Sequence, residues 1–307
     1  MNTKICFTNS TILLNDGRTL GYAEFGDPKG EVVFYFHGLP GSRLEAGHWE
    51  NIACLNHYRL ISIDRPGMGL SSKHPTRTIL SWADDVEALA NYLGIPKFSI
   101  IGHSGGAPFV AGCGYKIPHR LNKIAIVSGM GPFEIPEATA SLGRGQRFIN
   151  KMIKAIPPIA TVMVNLMFLM LKKPGILKKM TSKMSEVDQR ILGDTEAGDL
   201  FIQSSLEAFK GGITGVSQEI QLSLKPWGFD MSHIKCPVVI WQGRLDKQAP
   251  LAHANLYAKL IPNASLKVWI MKDISRCSLT MVRKFCAVFV NKILHRRYYF
   301  RLQPYWK

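Results

Sequence analysis

Short, uninterrupted apolar runs are the feature that most constrains how this 307-residue chain can fold. Strands buried on both faces of a parallel sheet are typically continuous apolar runs of this kind. Longer segments with helical spacing of apolar residues lie between them, which predicts an α/β fold with a doubly wound, mostly parallel sheet. The runs are VVFYF (Val32–Phe36), LISI (Leu60–Ile63), FSII (Phe98–Ile101), IAIV (Ile124–Val127), VVIW (Val238–Trp241) and LKVWI (Leu266–Ile270).

Local turn and helix signals agree with this prediction. Near the N-terminus, TILL and LGYAEF flank the turn signal NDG at 15–17, which indicates a β-hairpin. The segment SWADDVEALANYLG predicts a helix over 81–94, with Ser81 as its N-cap and Gly94 at its C-terminal end.

The strand–helix alternation stops between Ile126 and Val238, where the sequence is rich in Met and Lys and helical in pattern. We predict a helical cap at 134–225, inserted between two parts of the core at 1–133 and 226–307. Within it, AIPPIATVMVNLMFLML (Ala155–Leu171) carries no charge, but it is short for a membrane span and contains two prolines. A helix covering an apolar pocket is the favoured interpretation, and shallow contact with a membrane surface is the less favoured alternative.

The net charge of +16 is concentrated in two segments. Residues 138–185 contain nine Lys or Arg and no acid, and residues 274–307 contain eight and no acid. Such segments attract nucleic acid or anionic lipid, or they form solvated surfaces and favour acidic small molecules. No nucleic-acid-binding motif accompanies the charge, so nucleic acid is not an expected partner.

Cysteine usage and the N-terminus bear on the cellular compartment. The six cysteines are scattered without a CxxC pair, which argues against a disulfide framework or a zinc site and favours a reducing compartment. The N-terminal residues lack the long apolar core of a signal peptide. The sequence therefore predicts a cytoplasmic protein.

The segment GHSGG at 102–106 follows a predicted buried strand and precedes a predicted helix. G-x-S-x-G in this setting indicates a nucleophile elbow, a strained turn that exposes Ser104 above the sheet. Gly102 and Gly106 avoid clashes at the turn, and the Gly105 N–H can point at a developing oxyanion. His103 occupies the variable position and is expected to pack beside the sheet rather than act as a base. The alternative is a chance match in a Gly-rich loop.

Two more loops follow predicted strands and complete the expected site. In FYFHGLPGSR, the turn at Gly38 aims the Leu39 N–H at the same oxyanion, and His37 is expected to organise the loop. In VVIWQGRLDKQAP, Asp246 lies where a triad acid would orient an imidazole. The alternative for Asp246 is a surface aspartate in a turn.

HGLPGSR, DRPGMGLSS and GHSGGAP, in this order, resemble the α/β-hydrolase fold superfamily, and most of all its cap-bearing HG-x-PGSR hydrolases. The resemblance extends from about residue 20 to about residue 294. It implies a Ser, Asp, His order along the chain and hydrolysis of esters or related acyl bonds, with no cofactor and no metal. It does not identify the substrate.

The position of the catalytic base departs from this family. The relatives carry a segment like D-x-G-H-x-S-L, whereas this chain has DISRCSL at 273–279, with Arg276 in place of the His. A guanidinium stays protonated and cannot act as a base. Loss of a triad member typically lowers turnover by about 10⁴ to 10⁶. Other histidines that could serve instead are His48, His233, His253 and His295.

Arg276 could pair with the Asp246 carboxylate and bring positive charge near Ser104. That arrangement suits a small-molecule ligand that is anionic or carries an apolar acyl group. Three hypotheses therefore stay open. The chain is a weakened or inactive hydrolase that binds a ligand, a working ester hydrolase whose base comes from elsewhere, or an interaction protein that docks on a membrane or an acidic partner.

Overall fold

The structure, a computed structural model, describes residues 8–173, 196–244 and 246–269. In these ranges eight strands form one sheet, in the order β1-β2-β4-β3-β5-β6-β7-β8. The strands are β1 (Thr8–Leu13), β2 (Thr19–Gly26), β3 (Glu31–Phe36), β4 (Tyr58–Ile63), β5 (Phe98–His103), β6 (Leu121–Val127), β7 (Val238–Gly243) and β8 (Ala264–Trp269).

In the spatial order of the sheet, every pairing from β4 to β8 is parallel. The pairings of β2 with β1 and with β4 are antiparallel. Each of the predicted apolar runs lies in one of the strands β3 to β8, except that Ile270 lies outside the described residues. The predicted doubly wound, mostly parallel α/β fold is confirmed.

Helices cover both faces of the sheet because neighbouring residues of each strand point to opposite sides. On β3, Phe34 and Phe36 join one apolar cluster, while Val33 and Tyr35 join the other. The helices are α1 (Glu50–Leu55), α2 (Ser81–Tyr92), α3 (Ala107–Lys116), α4 (Pro136–Ala140), α5 (Arg144–Ala155), α6 (Pro158–Leu171), α7 (Glu196–Glu207), α8 (Thr214–Ser223) and α9 (Leu251–Leu260).

The start of α2 differs from the prediction. Ser81 is the first residue of the helix, so its assignment as N-cap is wrong. The backbone N–H of Ser81 donates to the Thr78 hydroxyl at 2.9 Å, and the Thr78 N–H donates to the Ser81 hydroxyl at 2.8 Å. This reciprocal exchange satisfies two N–H groups at the start of the helix. At the other end, Gly94 has a φ of +66° and terminates the helix, as predicted.

Helices α4 to α8 lie between β6 and β7, and we call them the helical insertion. Buried ion pairs join it to loops at the carboxyl edge of the sheet. The Arg65 guanidinium donates to both carboxylate oxygens of Glu219 on α8, at 2.6 and 2.8 Å, and Arg77 donates to the same carboxylate at 3.2 Å. Arg43 bridges Asp64 of the core and Glu207 of α7, at 2.8 Å each. These contacts hold the insertion above the end of the sheet that carries the predicted site.

The predicted division into core (1–133 and 226–307) and cap (134–225) stays a prediction. Helices α4 to α8 fall within 134–225, but residues 174–195 lie outside the described ranges. Within the described parts of the chain, no helix combines the length and the apolar character that crossing a membrane requires.

Candidate active site

Ser104 lies at the sharp turn that leads from β5 into a 3-10 helix (Ser104–Gly106) and then into α3. Its φ of +48° is in the left-handed region, which side-chain-bearing residues rarely adopt. The flanking glycines make the turn sterically feasible. A Cβ on Gly102 would lie 2.7 Å from the Gly106 carbonyl oxygen, and a Cβ on Gly106 would collide with the carbonyl of Phe36. This is the strained strand–turn–helix geometry expected of a nucleophile elbow.

The two N–H groups predicted to face an oxyanion lie side by side. A Cβ on Gly105 would lie 3.4 Å from the Leu39 nitrogen, so the two backbone segments are in contact. In the described part of the chain, the Leu39 N–H donates to no acceptor. Gly105 belongs to the first turn of a helix, where backbone N–H groups lack intrahelical acceptors. Their role as an oxyanion hole stays a prediction.

Asp246 lies just beyond β7 and is buried. Its carboxylate accepts hydrogen bonds from the backbone N–H groups of Gln248 at 2.8 Å and Ala249 at 2.9 Å, and from the Gln242 amide at 3.2 Å. Burial nevertheless raises the pKa of Asp246 above its ordinary value. No cation of the described residues lies within ion-pair distance of this carboxylate.

Glu45, which was not predicted from the sequence, connects the loop at Gly38 with His103, the neighbour of Ser104. Its carboxylate accepts hydrogen bonds from the Tyr35 hydroxyl at 2.7 Å, from the Gly38 N–H at 3.0 Å and from Nδ1 of His103 at 2.7 Å. The Gly38 N–H is therefore occupied, whereas the Leu39 N–H has no acceptor among the described residues. A carboxylate shortly after an HG turn, in a segment that is otherwise buried, is the sequence signal that could have indicated it.

The buried Glu45 carboxylate forms an ion pair with His103, whose side chain is one-fifth exposed. Burial disfavours the charge on Glu45, but the charge and the hydrogen bond of His103 outweigh it and lower the pKa of Glu45 to about 2. Burial likewise lowers the pKa of His103, but the charge and the hydrogen bond of Glu45 outweigh it, and the net shift is upward. The charge of Asp246 adds to this upward shift.

The geometry around His103 is not that of a general base. Its Nδ1 is engaged by Glu45, and its Nε2 is buried without a hydrogen-bond partner in the described part of the chain. It therefore makes no hydrogen bond to the hydroxyl of the adjacent Ser104. The upward shift of the His103 pKa favours the protonated ring, and a protonated imidazole cannot accept a proton.

His37 lies at the base of the loop that carries Leu39. Its Nδ1 contacts the Gly38 carbonyl oxygen at 2.8 Å, and its Nε2 accepts from the Arg65 N–H at 3.3 Å. Burial, aided by the charge of Arg65, lowers the pKa of His37 to about 3. The ring is therefore neutral and fully engaged with the backbone of the loop, as its predicted organising role requires.

Three other candidate histidines lie among the described residues. His253 on α9 is buried, with Nε2 3.1 Å from the Ala138 carbonyl oxygen. His233 precedes β7 and packs beside Tyr115, at the opposite end of that strand from Asp246. The His48 ring packs near the Trp49 ring, with centroids 6.2 Å apart. None of the hydrogen bonds found for these rings reaches Ser104 or Asp246.

Arg276 and His295 lie outside the described residues. The pairing of Arg276 with Asp246 therefore stays a prediction. Within the described ranges, no group of three or more His, Cys, Asp or Glu side chains is arranged to hold a metal ion.

The chain was compared with known families and proteins. The family model of the alpha/beta hydrolase fold matches residues 31–273. A non-heme chloroperoxidase of Streptomyces lividans is 34% identical over 134 residues, which are 42% of this chain and 48% of that protein. The chain thus spans about half the length of this relative. A 2-hydroxy-6-oxononadienedioate/2-hydroxy-6-oxononatrienedioate hydrolase of Comamonas testosteroni is 27% identical over 251 residues, covering 78% of this chain and 80% of that protein.

Solved structures with the same fold include enzymes of several kinds. A bromoperoxidase from Bacillus anthracis superposes with a TM-score of 0.69 at 19% identity, covering 92% of this chain and 99% of that one. An esterase from Exiguobacterium antarcticum superposes with a TM-score of 0.66 at 17% identity, covering 92% and 98%. At this level of identity the likeness concerns the fold alone.

Proposed function

Since the chain belongs to the α/β-hydrolase fold family, we propose that it descends from serine ester hydrolases and binds a small ligand at Ser104, with hydrolysis strongly weakened. One contrast carries the proposal. Ser104 has a strained backbone beside a Leu39 N–H that donates to no acceptor among the described residues. No histidine of the same residues hydrogen-bonds to Ser104 or Asp246. The sequence has Arg276 where the hydrolases that it resembles carry their histidine.

The electrostatics of the site favour a ligand with a negatively charged or strongly polar acyl group. The N–H groups of Leu39 and Gly105 are hydrogen-bond donors, and the N-terminus of α3 adds a partial positive charge. The pKa of His103, the neighbour of Ser104, is raised by the Glu45 carboxylate, and Arg276 would add a full positive charge. The Comamonas relative, named as a hydrolase of a dienedioate, acts on a dicarboxylate. A carboxylate-containing ligand is therefore the class we propose.

A working ester hydrolase is the second candidate. Its support is the elbow itself, because a residue other than glycine held at positive φ costs about 1–2 kcal/mol, and such strain is typical of functional sites. In that case the base comes from a residue outside the described ranges, such as His295.

The decisive experiment measures hydrolysis of p-nitrophenyl acetate by the unmodified chain, Ser104→Ala, Arg276→His and Arg276→Gln. The proposal expects the unmodified chain to match Ser104→Ala. Arg276→His restores an imidazole beside Asp246, so its turnover should rise by about 10³-fold or more. Arg276→Gln is the matched control, because it removes the charge without supplying a base, and it should stay at background.

Two results would count against the proposal. Turnover in the unmodified chain that disappears in Ser104→Ala would establish the second candidate. No gain in a well-folded Arg276→His protein would show that position 276 does not occupy the base site. The ligand class is tested separately by calorimetric titration with butyrate and with neutral methyl butyrate. We expect tighter binding of butyrate, and a weaker preference for it in Arg276→Gln.

A further inference from the structure

The outer face of α6 is apolar and exposed. Val162, Leu166 and Leu169 are 60%, 50% and 49% exposed, and their spacing of four and three residues puts them on one side of the helix. Met170 extends this side, and the opposite side packs inward through Ala160 and Val164. The helix has no charged residue along its 14 positions. An exposed apolar stripe of this kind marks an interaction surface.

The preceding helix, which contacts α6, carries a basic stripe of its own. Arg144, Arg147, Lys151 and Lys154 recur at helical spacing along α5, and all four are exposed. None of them forms an ion pair with an acid in the described part of the chain. Lys172 and Lys173 flank the other end of α6. The apolar stripe is thus bounded by cations at both ends.

A surface cavity of about 350 Å³ lies on the basic side of α5. Three cations line it, and no acid does. The lining residues are Thr139, Arg147, Asn150, Lys151, Lys154 and Leu224. Most of the surface that these side chains turn into the cavity is apolar.

We propose that the α5–α6 face docks on the surface of an anionic lipid bilayer, with Val162, Leu166 and Leu169 entering its apolar layer and the cations of α5 contacting lipid phosphates. Amphipathic helices with apolar and basic sides bind in the plane of such an interface. At 1.5 Å per residue, α6 is about 21 Å long, too short to cross the hydrocarbon core of about 30 Å. The chain would therefore lie on the bilayer.

Charge favours a lipid surface over a second copy of the chain. A symmetric dimer through this face would bring the same patch of both copies together. The segment 138–185, which contains α5 and α6, has nine cations and no acid, so two copies would repel each other. A bilayer that contains anionic lipid supplies the opposite charge.

The test measures cosedimentation of the full chain with vesicles of phosphatidylcholine mixed with phosphatidylglycerol, and with phosphatidylcholine alone. We expect binding to the anionic vesicles only, weakened by salt. Arg147→Gln/Lys151→Gln should weaken binding about 30-fold, from about 1 kcal/mol for each cation. Leu166→Gln/Leu169→Gln should weaken it at least about tenfold, because apolar side chains no longer enter the bilayer.

Matched controls come from the opposite end of the sheet and from α1. Lys29→Gln/Lys97→Gln removes two exposed cations, and Leu55→Gln removes a leucine that is 79% exposed. Both controls should bind like the unmodified chain. Absence of binding to anionic vesicles, or equal losses in the control variants, would overturn the proposal. So would a dimer in lipid-free sedimentation velocity that dissociates in Leu166→Gln/Leu169→Gln. The readout is lipid binding without turnover, so it is independent of the proposed function.

Discussion

Replacing Glu45 with Gln tests whether this buried carboxylate stabilises the site as an ion. Gln has nearly the same shape but cannot carry the negative charge that faces His103 at 2.7 Å. The Gly38 N–H and the Tyr35 hydroxyl, which donate to Glu45 at 3.0 and 2.7 Å, would lose an ionised acceptor. We expect the substitution to lower the free energy of unfolding substantially.

The magnitude follows from the pKa of Glu45. Its lowering from the ordinary value of 4.5 to about 2 corresponds to about 3 kcal/mol of stabilisation of the ionised form. This figure agrees with the roughly 3–5 kcal/mol lost when one partner of a buried ion pair is removed. The raised pKa of His103 reports the same interaction from the other side, so it is not added.

The pH dependence has a definite sign. Because the folded-state pKa of Glu45 is lowered, its contribution is complete above the ordinary value and is lost as pH falls towards about 2. Because the folded-state pKa of His103 is raised, its contribution is complete below its ordinary value of 6.5 and is lost as pH rises through the higher folded value. The pair therefore stabilises the fold most between about pH 4.5 and 6.5.

Urea unfolding at about pH 5.5, between these two ordinary pKa values, measures the effect. Glu45→Gln should lower the free energy of unfolding by about 3 kcal/mol. The difference in this free energy between the variant and the unmodified chain should become smaller towards low and high pH. Glu24→Gln is the control, because Glu24 pairs with Arg59 where both side chains are about one-fifth exposed, and such pairs contribute about 0.2–1 kcal/mol. Equal losses in the two variants, or a pH-independent difference, would refute the argument.

Two further substitutions test packing near the site. Glu219→Gln leaves two buried guanidinium groups without their carboxylate. We expect it to lower the free energy of unfolding, measured with urea, by about 3–5 kcal/mol. A decrease below about 1 kcal/mol would contradict a buried ionic contact. Gly69→Ala puts a Cβ into the buried Asp64 carboxylate at a φ of +52°, whereas Gly17→Ala at +83° meets no atom within 4 Å. In thermal unfolding, Gly17→Ala should lower the free energy of unfolding by roughly 1–2 kcal/mol, from backbone strain alone. Gly69→Ala should lower it by more, because its Cβ also clashes with the carboxylate. Equal losses in the two variants would argue against this contact.

Much of the fold could be predicted from the sequence because the signals are local. Each run such as VVFYF or VVIW is apolar over consecutive positions, which only a strand covered on both faces accommodates well. The start of α2 shows where local signals are ambiguous. Ser81 and Thr78 are both hydroxyl residues, and only the folded backbone determines which of them lies outside the helix.

The candidate site likewise has features that follow from local sequence and contacts that depend on the fold. The turn at Ser104 can be predicted from adjacent residues, because it needs glycines on either side of it and a strand before it. Glu45 and His103 are 58 positions apart, and Arg65 and Glu219 are 154 apart. No pattern in the sequence predicts that these pairs are in contact, because the contact depends on how strands and helices pack together.

The sequence by itself determined the kind of fold, the glycine-flanked turn at Ser104, the order of the loops around it and the arginine at position 276. These features depend on neighbouring residues, whose geometry is limited by backbone sterics and by the spacing of apolar side chains. Only the tertiary structure decided that His103 meets the Glu45 carboxylate, and that α6 turns an apolar side to solvent while α5 exposes a row of cations. Burial and charge at those positions are set by residues distant in sequence, which the fold alone brings together.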